Sequence, residues 1–97
     1  MVYEIRQTTV FSQWLSKLKD SIAKISIARR IVRLGSGNFG DSKSVGEGVY
    51  ELRIDVGKGY RVYFTNKENR IVVLLVGGDK STQDKDIKNA QKMAKEV

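Results

Sequence analysis

Glu51, Arg53 and Arg61 lie in the segment YELRIDVGKGYRVYF, residues 50–64. The segment reads as two strands joined by a tight turn at Gly57-Lys58-Gly59. Alternation puts Tyr50, Leu52, Ile54, Tyr60, Val62 and Phe64 on one face. Glu51, Arg53, Arg61 and Tyr63 take the other, which the sequence presents as open. Two guanidinium groups on neighbouring strands can grip a phosphate and stabilise charge developing on it. Glu51 adds a weak candidate base. Residue physics alone favours the plainer alternative, a solvated face on which Glu51 pairs with an arginine across the strands.

Two other groups carry chemical potential. Gly77-Gly-Asp-Lys-Ser81 lacks the full spacing of a phosphate-cradling P-loop. It follows a strand and precedes a helix, so Lys80 beside the helix-start amides makes a candidate anion site. A turn that needs glycine for its backbone angles explains the stretch equally well. The series Lys17, Lys19, Lys24, Arg29, Arg30 and Arg33, with Lys43 further on, suits an RNA or DNA backbone. Its alternative is an ordinary charged helix face.

Composition narrows the chemistry. The chain has 97 residues, which predicts one domain spanning 1–97, and it contains no cysteine and no histidine. Disulfides, zinc thiolates and a catalytic thiol are excluded, and the commonest general base is missing. Lysine and arginine number 18 against 11 acids, a net charge of +7 that suits a polyanionic or acidic partner. The start, MVYEIRQTTVF, alternates and carries charges, unlike a signal peptide. The longest apolar run, Ile71–Val76, is too short for a bilayer. The resulting expectation is a cytoplasmic protein with no membrane partner.

These residues need elements to position them. Val2–Arg6 predicts a first strand. Thr8 or Thr9 caps a helix with Phe11, Trp14, Leu15 and Leu18 on one stripe. Asp20 caps a second helix carrying Ile27, Ala28, Ile31, Val32 and Leu34, with Gly35 at its end. GSGNFGDSKSVGEG, residues 35–48, reads as a long loop holding at most a very short strand near Val45. Thr65–Arg70 is a polar turn, and Ile71–Val76 is a strand covered on both faces. Ser81-Thr-Gln-Asp84 has capping-box spacing and opens a last helix with Ile87, Ala90 and Ala94 inward. The order β-α-α-β-β-β-α predicts an α+β fold on a small antiparallel sheet.

Four stretches, in this order, are shared with a known group: FSQWLSKLKD (11–20), ARRIVRLGSGNFGDSKSVGEGVYELRID (28–55), GYRVYF (59–64) and LLVGGDKSTQDKDIKNA (74–90). Through them the chain resembles the RelE/ParE superfamily of toxin–antitoxin toxins, and more narrowly its HigB-like, phage Gp49-like branch. The resemblance implies a ribosome-dependent mRNA endoribonuclease acting without a metal or small-molecule cofactor. It implies ribosome and mRNA as targets and a cognate helix-turn-helix antitoxin as partner. By position, Arg61 takes the phosphate-binding role, with Arg53 on the preceding strand and Lys80 after the last strand. Lys17, Lys24, Arg29, Arg30, Arg33, Lys43 and Tyr63 become RNA-binding candidates. Two further readings stay open: a gyrase-type inhibitor as in the ParE branch, and a plain RNA-binding module.

Overall fold

Thr8 starts the first helix by a side-chain cap. Its oxygen accepts from the Phe11 N–H at 3.1 Å, and its hydroxyl donates to the Leu75 carbonyl at 2.7 Å, tying the helix start to the sheet. Asp20 does the same for the second helix, accepting from the Ala23 N–H at 3.0 Å. In the computed structural model, which describes residues 2–97, these caps open α1 (Thr9–Lys17) and α2 (Ser21–Gly35). A strand, β1 (Glu4–Gln7), precedes them. A meander follows: β2 (Ser42–Gly46), β3 (Val49–Ile54), β4 (Tyr60–Lys67) and β5 (Ile71–Gly78). A 3₁₀ turn (Lys80–Thr82) leads into α3 (Gln83–Ala94).

The sheet order is β1-β5-β4-β3-β2, with β4 central. The α+β class stands, with one refinement: β1 joins the antiparallel meander in parallel, beside β5. A short strand's side-chain pattern carries no information on direction. β2 is five residues long, fuller than the loop reading allowed. Its one apolar residue, Val45, hid it, because an edge strand is held by backbone pairing to β3.

Helices cover both faces of the sheet. Phe11, Ala23, Ile27 and Leu34 from α1 and α2 pack on Leu52, Ile54, Val62, Phe64, Val72 and Leu74. On the other face Ala90, with Ile87 and Met93 of α3, packs on Val49, Tyr63, Val73, Leu75 and Val76. The continuous apolar run of β5 follows from this two-sided burial. Three inward assignments do not hold. Val32 is 70% exposed and Ala28 is exposed, because only the Ala23–Ile27–Ile31–Leu34 stripe of α2 meets the sheet. Tyr50 is exposed too and stacks on Phe64 with ring centroids 5.6 Å apart. Gly35 is still helical, and the left-handed residue that ends α2 is Gly37, at φ 88°.

The two glycines ending β5 are there for space. Neither has a positive φ, so backbone angle does not require them. A Cβ on Gly77 would lie 2.2 Å from the Trp14 ring, and one on Gly78 would lie 1.9 Å from the Asp86 carboxylate. Gly77→Ala is therefore expected to cost about 1–3 kcal/mol by overpacking. Thermal unfolding checks this, and Trp14→Leu in the same chain should recover much of the loss. An alanine tolerated without change would mean that the indole does not rest on Gly77.

Candidate functional site

Register brings the two arginines together. Arg53 on β3 pairs directly with Arg61 on β4. The turn before β4 places Gly59 between two cations: Arg61 donates through Nη1 to the Gly59 carbonyl at 2.8 Å, and a Cβ there would meet Lys80 Cε at 3.2 Å. Arg53, Arg61 and Lys80 thus line one cleft of about 220 Å³, with Tyr60 in its wall. Strand parity puts Arg53 and Arg61 on one face and leaves Lys80 to the turn after the last strand; the fold converges all three. Asp41 enters the same cleft, its carboxylate 3.4 Å from Arg53 Nε. Both partners of that pair are half-exposed, so solvent limits its worth to about 0–1 kcal/mol. No motif marked Asp41, which lies in the glycine-rich stretch.

The face itself is not open. α3 lies over it, leaving Glu51 and Tyr63 fully buried and Arg61 6% exposed. Glu51 accepts from the Tyr63 hydroxyl at 3.1 Å and from Gln83 Nε2 at 2.9 Å, and Arg61 Nε lies 3.7 Å from the same carboxylate oxygen. Lys43 approaches the other oxygen, at 3.9 Å. Burial first, then the Glu51 carboxylate, push the Tyr63 phenol well above its ordinary range. Glu51 as an accessible base and Tyr63 as an RNA-contacting aromatic are both corrected by this burial. Period-two alternation assigns a face without saying whether a distant helix covers it. Glu51 instead anchors Arg61, and Gln83, which the sequence reading left unassigned, completes the network.

The start of the last helix also differs from the capping-box reading. Asp79, not Ser81 or Asp84, caps the 3₁₀ turn that leads into α3, accepting from the Ser81 N–H at 2.8 Å and from its hydroxyl, while Thr82 at the start of α3 makes no side-chain cap bond. Asp84 is exposed. The chain's own Asp79 carboxylate thereby takes the Ser81 amide that an anion there would use, and Lys80 lines the cleft. The Ser81 bonds lower the Asp79 pKa below 3.8. A carboxylate with a depressed folded pKa stabilises the fold above its unfolded value, and that contribution is lost as pH falls through the folded pKa. Asp79→Ala is expected to cost about 0.5–2 kcal/mol at neutral pH. The gap from wild type should close on acidification below pH 3.8, as followed by urea unfolding. A gap independent of pH would rule the cap out as its cause. Asp86 runs the other way: burial raises its pKa, against the bond from the Thr82 hydroxyl at 2.6 Å.

The basic series does not form one stripe. Arg30 donates to the Arg53 carbonyl at 2.6 Å and to the Asp41 carbonyl at 3.3 Å, so it fastens α2 to β3 and to the loop before β2. Lys24 donates to the Ser16 carbonyl at 3.2 Å. Lys17, Arg29, Arg33 and Lys43 are exposed. Arg29 and Arg33, with Arg30, border a hollow between α2 and the end of β3 at Ile54–Val56. No described helix is long and apolar enough to cross a membrane.

The fold has known counterparts. The free E. coli toxin RelE, an arginine-to-alanine double mutant, superposes with a TM-score of 0.78 at 16% identity, covering 96% of this chain and 98% of that one. A RelBE toxin–antitoxin complex from Mycobacterium tuberculosis gives 0.65 at 21% identity, over 82% of this chain and all of that one. At these identities the likeness establishes the fold. In sequence, a protein of Haemophilus influenzae described as uncharacterized is 58% identical over 97 residues, covering all of this chain and 98% of its own. The family described as phage derived protein Gp49-like matches residues 13–96. The chain belongs to that Gp49-like family and carries it on the RelE toxin fold.

Proposed function

We propose that this protein is the toxin of a toxin–antitoxin pair, of the HigB-like kind, and that it cleaves mRNA on the ribosome. The observation that carries the reading is the convergence of Arg53, Arg61 and Lys80 in one cleft, with the buried Glu51 carboxylate as an ion-pair partner behind Arg61. Three cations around one cleft suit a reaction that adds negative charge to phosphorus. In that reaction the RNA 2′-oxygen bonds to the adjacent phosphorus as the bond to O5′ breaks. O2′ loses a proton and O5′ gains one, leaving a 2′,3′-cyclic phosphate and a 5′-hydroxyl.

Arg61 and Arg53 would bind the non-bridging oxygens, with Lys80 adding charge at the cleft rim. Asp41 must leave Arg53 for the phosphate to enter. Among the described residues no histidine serves as base, and Glu51 is withdrawn from that role. The ribosome supplies what the cleft lacks by fixing the mRNA in an in-line geometry. RelE-fold toxins occur in solved complexes with antitoxins, which supports an antitoxin partner here as well. Cytoplasmic action follows from the same reading.

The test is induced expression in a bacterial host with growth recorded and mRNA 5′ ends mapped, for wild type and Arg53→Ala. Arg53 is half-exposed, so its removal leaves the fold intact. New in-frame 5′-hydroxyl ends inside translated codons, cut back about tenfold in the variant, support the nuclease. Growth arrest with intact transcripts overturns it in favour of an inhibitor of a protein target such as gyrase.

A further inference from the structure

One face of α2 is built for a partner that the cleft chemistry does not use. Ile22, Ile25 and Val32 are 69%, 53% and 70% exposed. With Arg29 they fall at spacings of three, four and three, the seam of a helix that packs on another helix. The inward stripe of Ala23, Ile27, Ile31 and Leu34 is separate and already occupied by the sheet. Large branched apolar side chains on a short exposed helix form an unpartnered patch. Nucleic acid does not explain them, since bases stack on aromatic and guanidinium planes and aliphatic tips give phosphates nothing.

Charge selects among protein partners. From Ser21 to Gly35, α2 carries Lys24, Arg29, Arg30 and Arg33 and no acid. Arg29 occupies a central position of the seam itself, and Arg33 flanks it. A second copy of this chain would set Arg29 and Arg33 against their own likes, on subunits of net charge +7 each. We infer that the exposed face of α2 is a docking surface for an acidic amphipathic helix of another protein. Aliphatic residues of that helix would cover Ile22, Ile25 and Val32, and a carboxylate would meet Arg29. Arginine in such a seam is satisfied by a bidentate carboxylate, which fixes register as well as partner sign. The surface stands independently of the mRNA reading.

The test is an amide-resolved NMR titration of the full chain with a synthetic peptide of about three heptads, leucine at a and d and glutamate on its flanks. Saturable shifts confined to residues 21–35 are expected. The same peptide with lysine for glutamate should bind at least about tenfold more weakly. Ile25→Ser with Val32→Ser should weaken the acidic peptide by a similar factor, with the unfolding midpoint unchanged because both side chains are exposed. Shifts centred elsewhere, or indifference to peptide charge, would overturn the inference. So would a concentration-dependent dimer blocked by the same serines, or a single-stranded RNA oligonucleotide perturbing this face where the peptide does not.

Discussion

Glu51→Ala is expected to destabilise the protein by about 3–5 kcal/mol, the largest effect on stability of any single change in the cleft region. The carboxylate is fully buried beneath α3, and Arg61 beside it is 6% exposed. Removing the acid leaves a buried guanidinium facing a cavity, and strips the Tyr63 hydroxyl and the Gln83 amide of their acceptor. A domain of this length holds only about 5–15 kcal/mol in total, so the variant should sit near its unfolding threshold at 37 °C. Urea denaturation gives the loss directly. Glu51→Gln keeps an acceptor oxygen for both donors and fills the space, so it should lose less than alanine, but the Arg61 charge is still left unpaired. Glu51→Met with Arg61→Met removes both charges and should recover most of the loss, because the pair's strength is largely each partner's rescue of the other. If alanine at 51 costs under about 1 kcal/mol, α3 does not seal this network.

The sequence and the structure part company at that helix. Much that is local was readable: Thr8 and Asp20 announce their helices because an N-cap is a bond between a side chain and the amide three residues on. The strand parity of Glu51, Arg53, Arg61 and Tyr63 was readable for the same reason, and so was the two-faced burial of β5. What parity cannot carry is which face another element covers. α3 arrives from thirty residues downstream in sequence and turns an apparently open face into a second core. That one event buries Glu51 and Tyr63 yet leaves Arg53 exposed, because Arg53 lies beyond the helix on the cleft side. Asp41 and Gln83 were illegible as site residues since each acts through one long-range contact with no pattern around it, and Arg30, legible only as one of a basic series, turns out to tie α2 to the Arg53 and Asp41 carbonyls. In Gly77-Gly-Asp-Lys-Ser81 a local detail competes with the anion reading: the Asp79 carboxylate itself takes the Ser81 amide.

Arg61→Lys is expected to lower ribosome-dependent mRNA cleavage by about 10²–10³-fold, while Arg53→Ala lowers it by about tenfold. The asymmetry comes from how each arginine is held. Arg61 is buried, bonded through Nη1 to the Gly59 carbonyl and set 3.7 Å from the Glu51 carboxylate, so its guanidinium is oriented before substrate arrives. A preorganised donor is worth more to a transition state than one that must be ordered first. Lysine keeps the charge beside Glu51, so the fold survives, but its ammonium lacks the planar fork that reaches two acceptors and a phosphate at once. Arg53 is half-exposed and faces only Asp41, so much of its contribution is lost to solvent and to that competing carboxylate. Cleavage of a translated mRNA on purified ribosomes, with each rate scaled to the folded fraction from circular dichroism, separates the chemistry from stability. An Arg61→Lys protein that is folded and cleaves at the wild-type rate would remove Arg61 from the reaction. The buried pair would then be structural alone, and the cleft's work would fall to its two solvent-facing cations.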